Sequence, residues 1–210
     1  MELTKEQIQR VEKYLDKKGV KFIDFRIEIF DHIISQIEQK LAIDNADFKT
    51  VFYQVTNEWN KQLDETSSWF FGFIYPAPKV VINRAKKIFK KYLFLAYLQM
   101  IVTYLVVFNS KLELNKTFSY LIFFVLIIFL LISIFYTFKI WKSKQKTVYS
   151  FIIKTQSLNF LFFPFMIINT SFEDFMNIGY LGYLIIVTYY SRLFYRKHQQ
   201  EKERYSFLMG

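Results

Sequence analysis

Residues 120–138 read YLIFFVLIIFLLISIFYTF, nineteen positions without a charge and almost without a polar group. A run of this length and composition is what a helix needs to cross the hydrocarbon core of a bilayer, about 20 apolar residues at 1.5 Å each. Three further segments have comparable length: residues 90–108, 148–168 and 175–195. The third is the most interrupted, with Lys154, Gln156 and Asn159 in its first half and Pro164 in its second. A re-entrant or kinked path is the alternative for it. The composition agrees with this reading. Hydrophobic residues make up 53% of the 210 and aromatics 21%, more than a globular core of this length requires. The sparse Ala and Gly beside abundant Phe, Ile, Lys and Tyr also fit an AT-rich bacterial genome.

The positive charge flanks these segments. Residues 79–91 carry six Lys/Arg, 139–146 four and 192–204 five, whereas the intervening loops, 109–119 and 169–174, carry two and none. By the positive-inside rule both termini and the middle loop face the cytoplasm, as an even number of spans requires. Residues 1–20 have no apolar signal-peptide core, so the span near Tyr92 is expected to act as an internal signal-anchor. A net charge of +10 would ordinarily raise nucleic acid as a partner. Here the charge is explained by membrane orientation, and no basic patch lies away from the membrane ends.

Upstream of the spans the pattern is that of short amphipathic helices. Thr4 and Gln7 fit a capping box, Leu3 and Ile8 a hydrophobic staple, and Ile8, Val11 and Leu15 a first apolar face that Gly19 ends. Ile23, Ile27, Phe30, Ile34, Ile37 and Leu41 form a second stripe. Phe48, Val51, Phe52, Val55, Trp59 and Leu63 form a third, with Asp44 or Asn45 as its cap. Three such helices joined by short turns are expected to bury each other's faces as a bundle over residues 1–65. Residues 66–91 then form a connector. The stretch WFFGFIYPAP (69–78) has five aromatics, no charge and two prolines that prevent a continuous helix. The basic amphipathic stretch that follows, with Val81, Ala85, Ile88 and Tyr92 on one side, suits a helix lying at the headgroups; a linker packed on the bundle is the alternative. The expected interfacial anchor is therefore Trp69, Phe70, Phe71, Phe73, Tyr75, Arg84, Lys86, Lys87, Lys90 and Lys91. The expected fold is all-α: a cytoplasmic three-helix bundle, four transmembrane helices within residues 92–195, and a cytoplasmic tail at 196–210.

Catalytic motifs are missing. There is no Walker A pattern, no G-x-S-x-G and no HExxH, and Cys is absent. The two histidines, His32 and His198, fall in separate elements, and no Asp or Glu lies inside a span. These absences argue against an enzyme, and no cofactor or metal is called for. Two polar groupings remain. Asp24, Glu28, Asp31, Ser35 and Glu38 fall on one side of the second helix with His32 at its edge, a face that could dock a basic partner, ligate a cation, or remain solvated. Lys154 with Gln156 and Asn159 could line a polar intramembrane site or bind an anionic headgroup, or Lys154 could snorkel to the cytoplasmic boundary. In the fourth segment, Gly179 and Gly182 could admit close helix approach. Trp141, Tyr149 and Tyr195 suit an interfacial aromatic belt.

The segment RIEIFDHIISQIE (26–38), through its Glu28…Asp31-His32-Ile33…Ile37-Glu38 pattern, resembles the HAAS domain, a helical cytoplasmic module of small bacterial membrane proteins often found beside PadR-type regulators. The whole chain also resembles multi-span proteins of the Bacteroidota. The first resemblance covers roughly the first 65 residues and implies an interaction or signalling module tethered to membrane spans. The expected function is a non-enzymatic accessory or scaffolding subunit of the bacterial inner membrane, with lipids and a protein partner around it. A small oligomeric channel, transporter or membrane effector is one alternative, and a membrane-tethered sensor controlling a regulator is another.

Overall fold

The computed structural model describes residues 2–44, 46–110, 115–156 and 176–209. The chain is mostly helical and divides into two units. One comprises Met1–Ala85, Lys144–Val148 and Gln200–Gly210; the other comprises Lys86–Ser143 and Tyr149–Gln199.

The first unit opens with α1 (Lys5–Lys17), whose ends follow the sequence closely. Thr4 accepts from the Gln7 amide at 3.4 Å while the Gln7 side chain accepts from the Thr4 amide at 2.8 Å, completing the capping box. At the other end Gly19 adopts φ +64°. That left-handed residue lets its own N–H reach the Asp16 carbonyl and the Val20 N–H reach the Leu15 carbonyl, a full Schellman stop. α2 (Ile23–Asp44) and α3 (Phe48–Leu63) follow. The cap of α3 is Asp47, accepting from the Thr50 amide at 3.3 Å, and not Asp44 or Asn45. Because α2 runs on to Asp44, the first carboxylate free to reach an N3 amide lies three residues later.

The apolar stripe of α3 is buried as expected at Val51, Phe52, Val55 and Leu63. On α2 the burial is broader than the expected stripe. Ile23 and Ile37 are buried, but so are Phe25, Ile29 and Ile33, while Ile27, Phe30, Ile34 and Leu41 are only half-buried. The helix is apolar around more than one face and is covered along more than one line. Edge-to-face packing of Tyr14 on Phe52, with centroids 6.2 Å apart, joins α1 to α3. The Tyr14 hydroxyl donates to the Thr56 carbonyl at 3.1 Å, and burial followed by the nearby Asp64 charge pushes its pKa up to about 12. Trp59 Nε1 donates to Gln36 Oε1 at 2.8 Å between α3 and α2.

The connector is the first departure from an all-α chain. Residues 65–78 form a hairpin of β1 (Glu65–Ser68) and β2 (Gly72–Pro78), pairing Glu65 with Pro78, Thr66 with Ala77 and Ser68 with Gly72. Gly72 at φ +88° makes the turn. The prolines do exclude helix here, but a two-stranded ribbon has only edges, where a missing N–H costs no ladder bond. α4 (Lys79–Ser110) then runs as one helix of 32 residues. The expected division between a basic interfacial helix and a span is not present, since residues 79–110 contain neither Gly nor Pro to break it.

In the second unit, α5 (Lys116–Trp141) starts at the Asn115 cap and contains the whole of the opening segment. After it, α6 (Val148–Thr155) covers the start of the third expected span, whose remainder lies outside the described residues. α7 (Met176–Met209) continues as one helix through the residues expected to form a separate tail. Among the described residues, two helices are long and apolar enough to cross a membrane, Lys79–Val106 and Lys116–Trp141. α7 is long enough but less apolar, because Asn177, five tyrosines and Arg192 dilute its first twenty residues.

The packing of α5 is inverted relative to a water-soluble helix. Its buried positions are Ser119, Ile122, Leu126, Ser133, Thr137 and Ile140, spaced three, four or seven apart, so that half of the buried stripe is hydroxyl-bearing. Its exposed positions include Phe118, Leu121, Phe124, Ile128, Leu131, Phe135 and Phe138. Within this unit the stripe meets α7. Ile122 and Leu126 cluster with Tyr180 and Leu184, the Thr188 hydroxyl donates to the Phe129 carbonyl at 2.9 Å, and Ser133 and Ser191 hydroxyls lie 3.1 Å apart. Small residues and interhelical hydroxyl bonds at the seam, with bulky aliphatics outward, are how helices associate in lipid. Gly182 belongs to the same scheme: a Cβ there would collide with the Gln99 side chain of α4, whereas one at Gly179 meets nothing within 4 Å. Of the two expected glycines, only Gly182 admits a close neighbour.

Candidate functional site

The acidic side of α2 divides when its residues are followed individually. Glu28, Asp31 and Ser35 are exposed. His32 is exposed as well and stacks on Trp59 with centroids 6.4 Å apart and planes 23° from parallel. Glu38 accepts from the Leu3 amide at 3.1 Å and so holds the lead-in to α1. Among the described residues no group of three or more His, Asp or Glu is placed to hold a metal ion. What remains as a possible docking face is Glu28, Asp31 and His32.

Asp24 has a different role from the rest of the set. Its Oδ2 accepts from the Val148 amide at 2.8 Å, so a carboxylate from α2 caps the first turn of α6, 124 positions along the chain. Two backbone contacts support this junction: the Ile23 N–H donates to the Lys146 carbonyl at 2.9 Å, and Phe22 bridges Lys146 in parallel register. The other carboxylate oxygen, Oδ1, is buried without a hydrogen-bond partner among the described residues. Burial raises the Asp24 pKa from its ordinary 3.8 to about 6, against the opposing pull of the Val148 amide; Glu201 adds to the rise and Arg84 opposes it. Chemically this is a proton-binding group that titrates near neutrality while fastening the entry to α6. The i, i+4 arithmetic of α2 gave no signal of it, because its partner is remote in sequence.

The aromatic and basic set lies on the hairpin and α4. Phe71 is buried, Phe70 is half-buried with its ring edge-to-face on Phe71 at 5.1 Å, and Trp69, Phe73 and Tyr75 are exposed. Ile74, which was not among the expected anchors, is exposed beside them. On α4, Arg84, Lys87, Lys90 and Lys91 are exposed and Lys86 half-buried, opposite buried Val81, Ala85 and Tyr92. In the polar set of the third segment, Lys154 is half-buried in the last turn of α6 and Gln156 is buried just after it; Asn159 lies outside the described residues. His198 is fully buried on α7. No family model matches the chain, and no curated protein and no solved structure matches it either.

Proposed function

We propose that this chain is a non-enzymatic, multi-pass scaffolding subunit of a bacterial inner membrane, with four spans and both termini in the cytoplasm. Its α1–α3 region docks a protein partner, and its spans pack within a larger membrane complex. The observation that supports a membrane role most directly is the packing of α5, an exposed surface of Phe, Ile and Leu with hydroxyls making up half of the buried stripe. The exposed Glu28, Asp31 and His32 offer a polar, mostly acidic face for a basic partner surface. The test is purification from native membranes in mild detergent through a tag after Gly210, with and without residues 1–64. The account expects a stoichiometric partner that the full chain retains and the truncated chain, still membrane-inserted, loses. A full chain that purifies only with itself would contradict it.

A sensor that controls a regulator is the second reading, and the Asp24–Val148 contact favours it. A carboxylate whose pKa burial raises to about 6 caps the start of the third apolar segment at Val148. If deletion of residues 1–64 left signalling intact, this reading would fail.

A further inference from the structure

The geometry points to the exposed Trp69 and Phe73–Tyr75 of the 65–78 hairpin as a second lipid-contacting element, one that inserts these side chains into the headgroup–acyl boundary of the bilayer. The inference rests on the membrane reading of α4 and α5 and specifies a surface outside the helices. From Thr66 to Pro78 the chain carries no charge. Trp69, Phe73 and Ile74 are 81%, 68% and 79% exposed, and Tyr75 and Pro76 are exposed as well.

Two features select lipid as the occupant rather than a protein. First, Phe73, Ile74, Tyr75 and Pro76 are exposed in succession at the break in register between Thr66 and Ser68, where they bulge out of the ribbon and leave both of its faces bare. A protein partner covers one face of a ribbon, whereas an interface of mixed headgroup and acyl chains surrounds both. Second, the hairpin is covalently continuous with a membrane-competent helix: only Ala77 and Pro78, both buried, separate it from Lys79, where that helix starts. Residues 79–91 then add six Lys/Arg and no acid, a complement to anionic headgroups.

The hairpin is suited to this environment in its backbone too. Pairing of Glu65 with Pro78, Thr66 with Ala77 and Ser68 with Gly72, with the turn bonds from Phe71 N–H to the Ser68 carbonyl and from Gly72 N–H to the Trp69 carbonyl, holds the ribbon on either side of the exposed stretch. Trp and Tyr, which combine an apolar ring with a polar handle, are the residues that favour this depth. Buried Ala77 fastens the base of the ribbon and buried Phe71 its turn, on either side of the exposed Phe73–Pro76 stretch.

The absence of cysteine gives a clean background for the test. Ile74→Cys, Phe73→Cys, Leu131→Cys and Lys61→Cys variants of the full chain are labelled with an environment-sensitive fluorophore and reconstituted in liposomes containing phosphatidylglycerol. The probes are then challenged with nitroxide-bearing lipids and with aqueous iodide. The inference expects probes at positions 73 and 74 to be blue-shifted, quenched several-fold more by a shallow nitroxide than by a deep one, and shielded from iodide. The position 131 probe should be quenched by lipid and the position 61 probe by iodide. Iodide quenching at 73 and 74 with lipid quenching at 131 would overturn the hairpin inference and leave the membrane reading standing. Shielding of 73 and 74 from both quenchers would overturn it in favour of a protein cover. Iodide quenching at 131 would remove the membrane reading and the inference with it.

Discussion

Helices α3 and α5 are both long, regular and capped by a side chain at the N-terminus, yet they expose opposite chemistry. α3 encloses Val51, Phe52, Val55 and Leu63 and turns Lys49, Gln54, Asn57 and Glu58 outward. α5 encloses Ser119, Ser133 and Thr137 together with Ile122, Leu126 and Ile140, and turns Phe124, Ile128, Leu131 and Phe135 outward. A helix facing water gains by removing apolar area from it. A helix facing lipid gains nothing by hiding Leu and packs its small residues inward, where Ser133 of α5 meets the Ser191 hydroxyl. On the membrane reading, the two helices face two solvents, water at α3 and lipid at α5.

The largest expected effect comes from breaking the water-facing side. Val55→Asp puts an unpaired carboxylate into the α1–α3 core and should cost at least about 4 kcal/mol, enough to unfold that region as read by circular dichroism of residues 1–64 or by proteolysis of the full chain. The corresponding change on the other helix, Leu131→Arg, places a charge on an exposed position of α5. In water it would be nearly neutral. At the centre of a span it costs about 3 kcal/mol and should lower insertion efficiency in a translocation assay. Equal insertion of Leu131→Arg and the parent chain would show that α5 does not face lipid.

The Asp24 junction should respond to protons, and the sign follows from the raised pKa. An acid with a pKa of about 6 in the folded protein and 3.8 in its ordinary state binds its proton more tightly when folded. Its stabilising contribution is therefore fully present below about pH 3.8 and is lost as pH rises through about 6, with a limit of roughly 3 kcal/mol. Asp24→Asn keeps an acceptor for the Val148 amide and removes the charge. It should raise the Tm at pH 7.5 and flatten the dependence between pH 4 and 7. A lower Tm at pH 7.5 would mean that the ionised cap outweighs its desolvation. The smallest effect belongs to Thr4→Ala, which removes half of the capping box on an exposed helix end and should cost about 1 kcal/mol by denaturant titration.

The parts of the fold that were legible in the sequence are those whose causes are local. Thr4 with Gln7, Gly19, the α3 stripe and residues 120–138 each carry their signal within a few positions, and each appears in place. The hairpin was not legible. WFFGFIYPAP is apolar throughout, so it has no alternation to distinguish a strand, and its partner strand ETSS reads as a polar turn. The width of the buried surface on α2 was also obscured, because a helix covered along more than one line loses its single stripe. For the candidate site, the exposed positions of Glu28, Asp31 and His32 followed from helical arithmetic. The role of Asp24 did not, since a cap supplied across 124 positions has no sequence period. The exposed aromatics were recognised as a group, but Ile74 entered only once the ribbon had set which residues face outward.

The claim on which the rest depends is that the outward Phe, Ile and Leu of α5 contact lipid. The most direct measurement is alkaline carbonate extraction of native membranes, followed by flotation of the pellet through a density gradient. The account predicts that the full chain resists extraction and floats with the lipid, because its α4 and α5 segments are held by the hydrocarbon core. Release of the chain into the soluble fraction would contradict it and would require those apolar faces to be covered by protein instead.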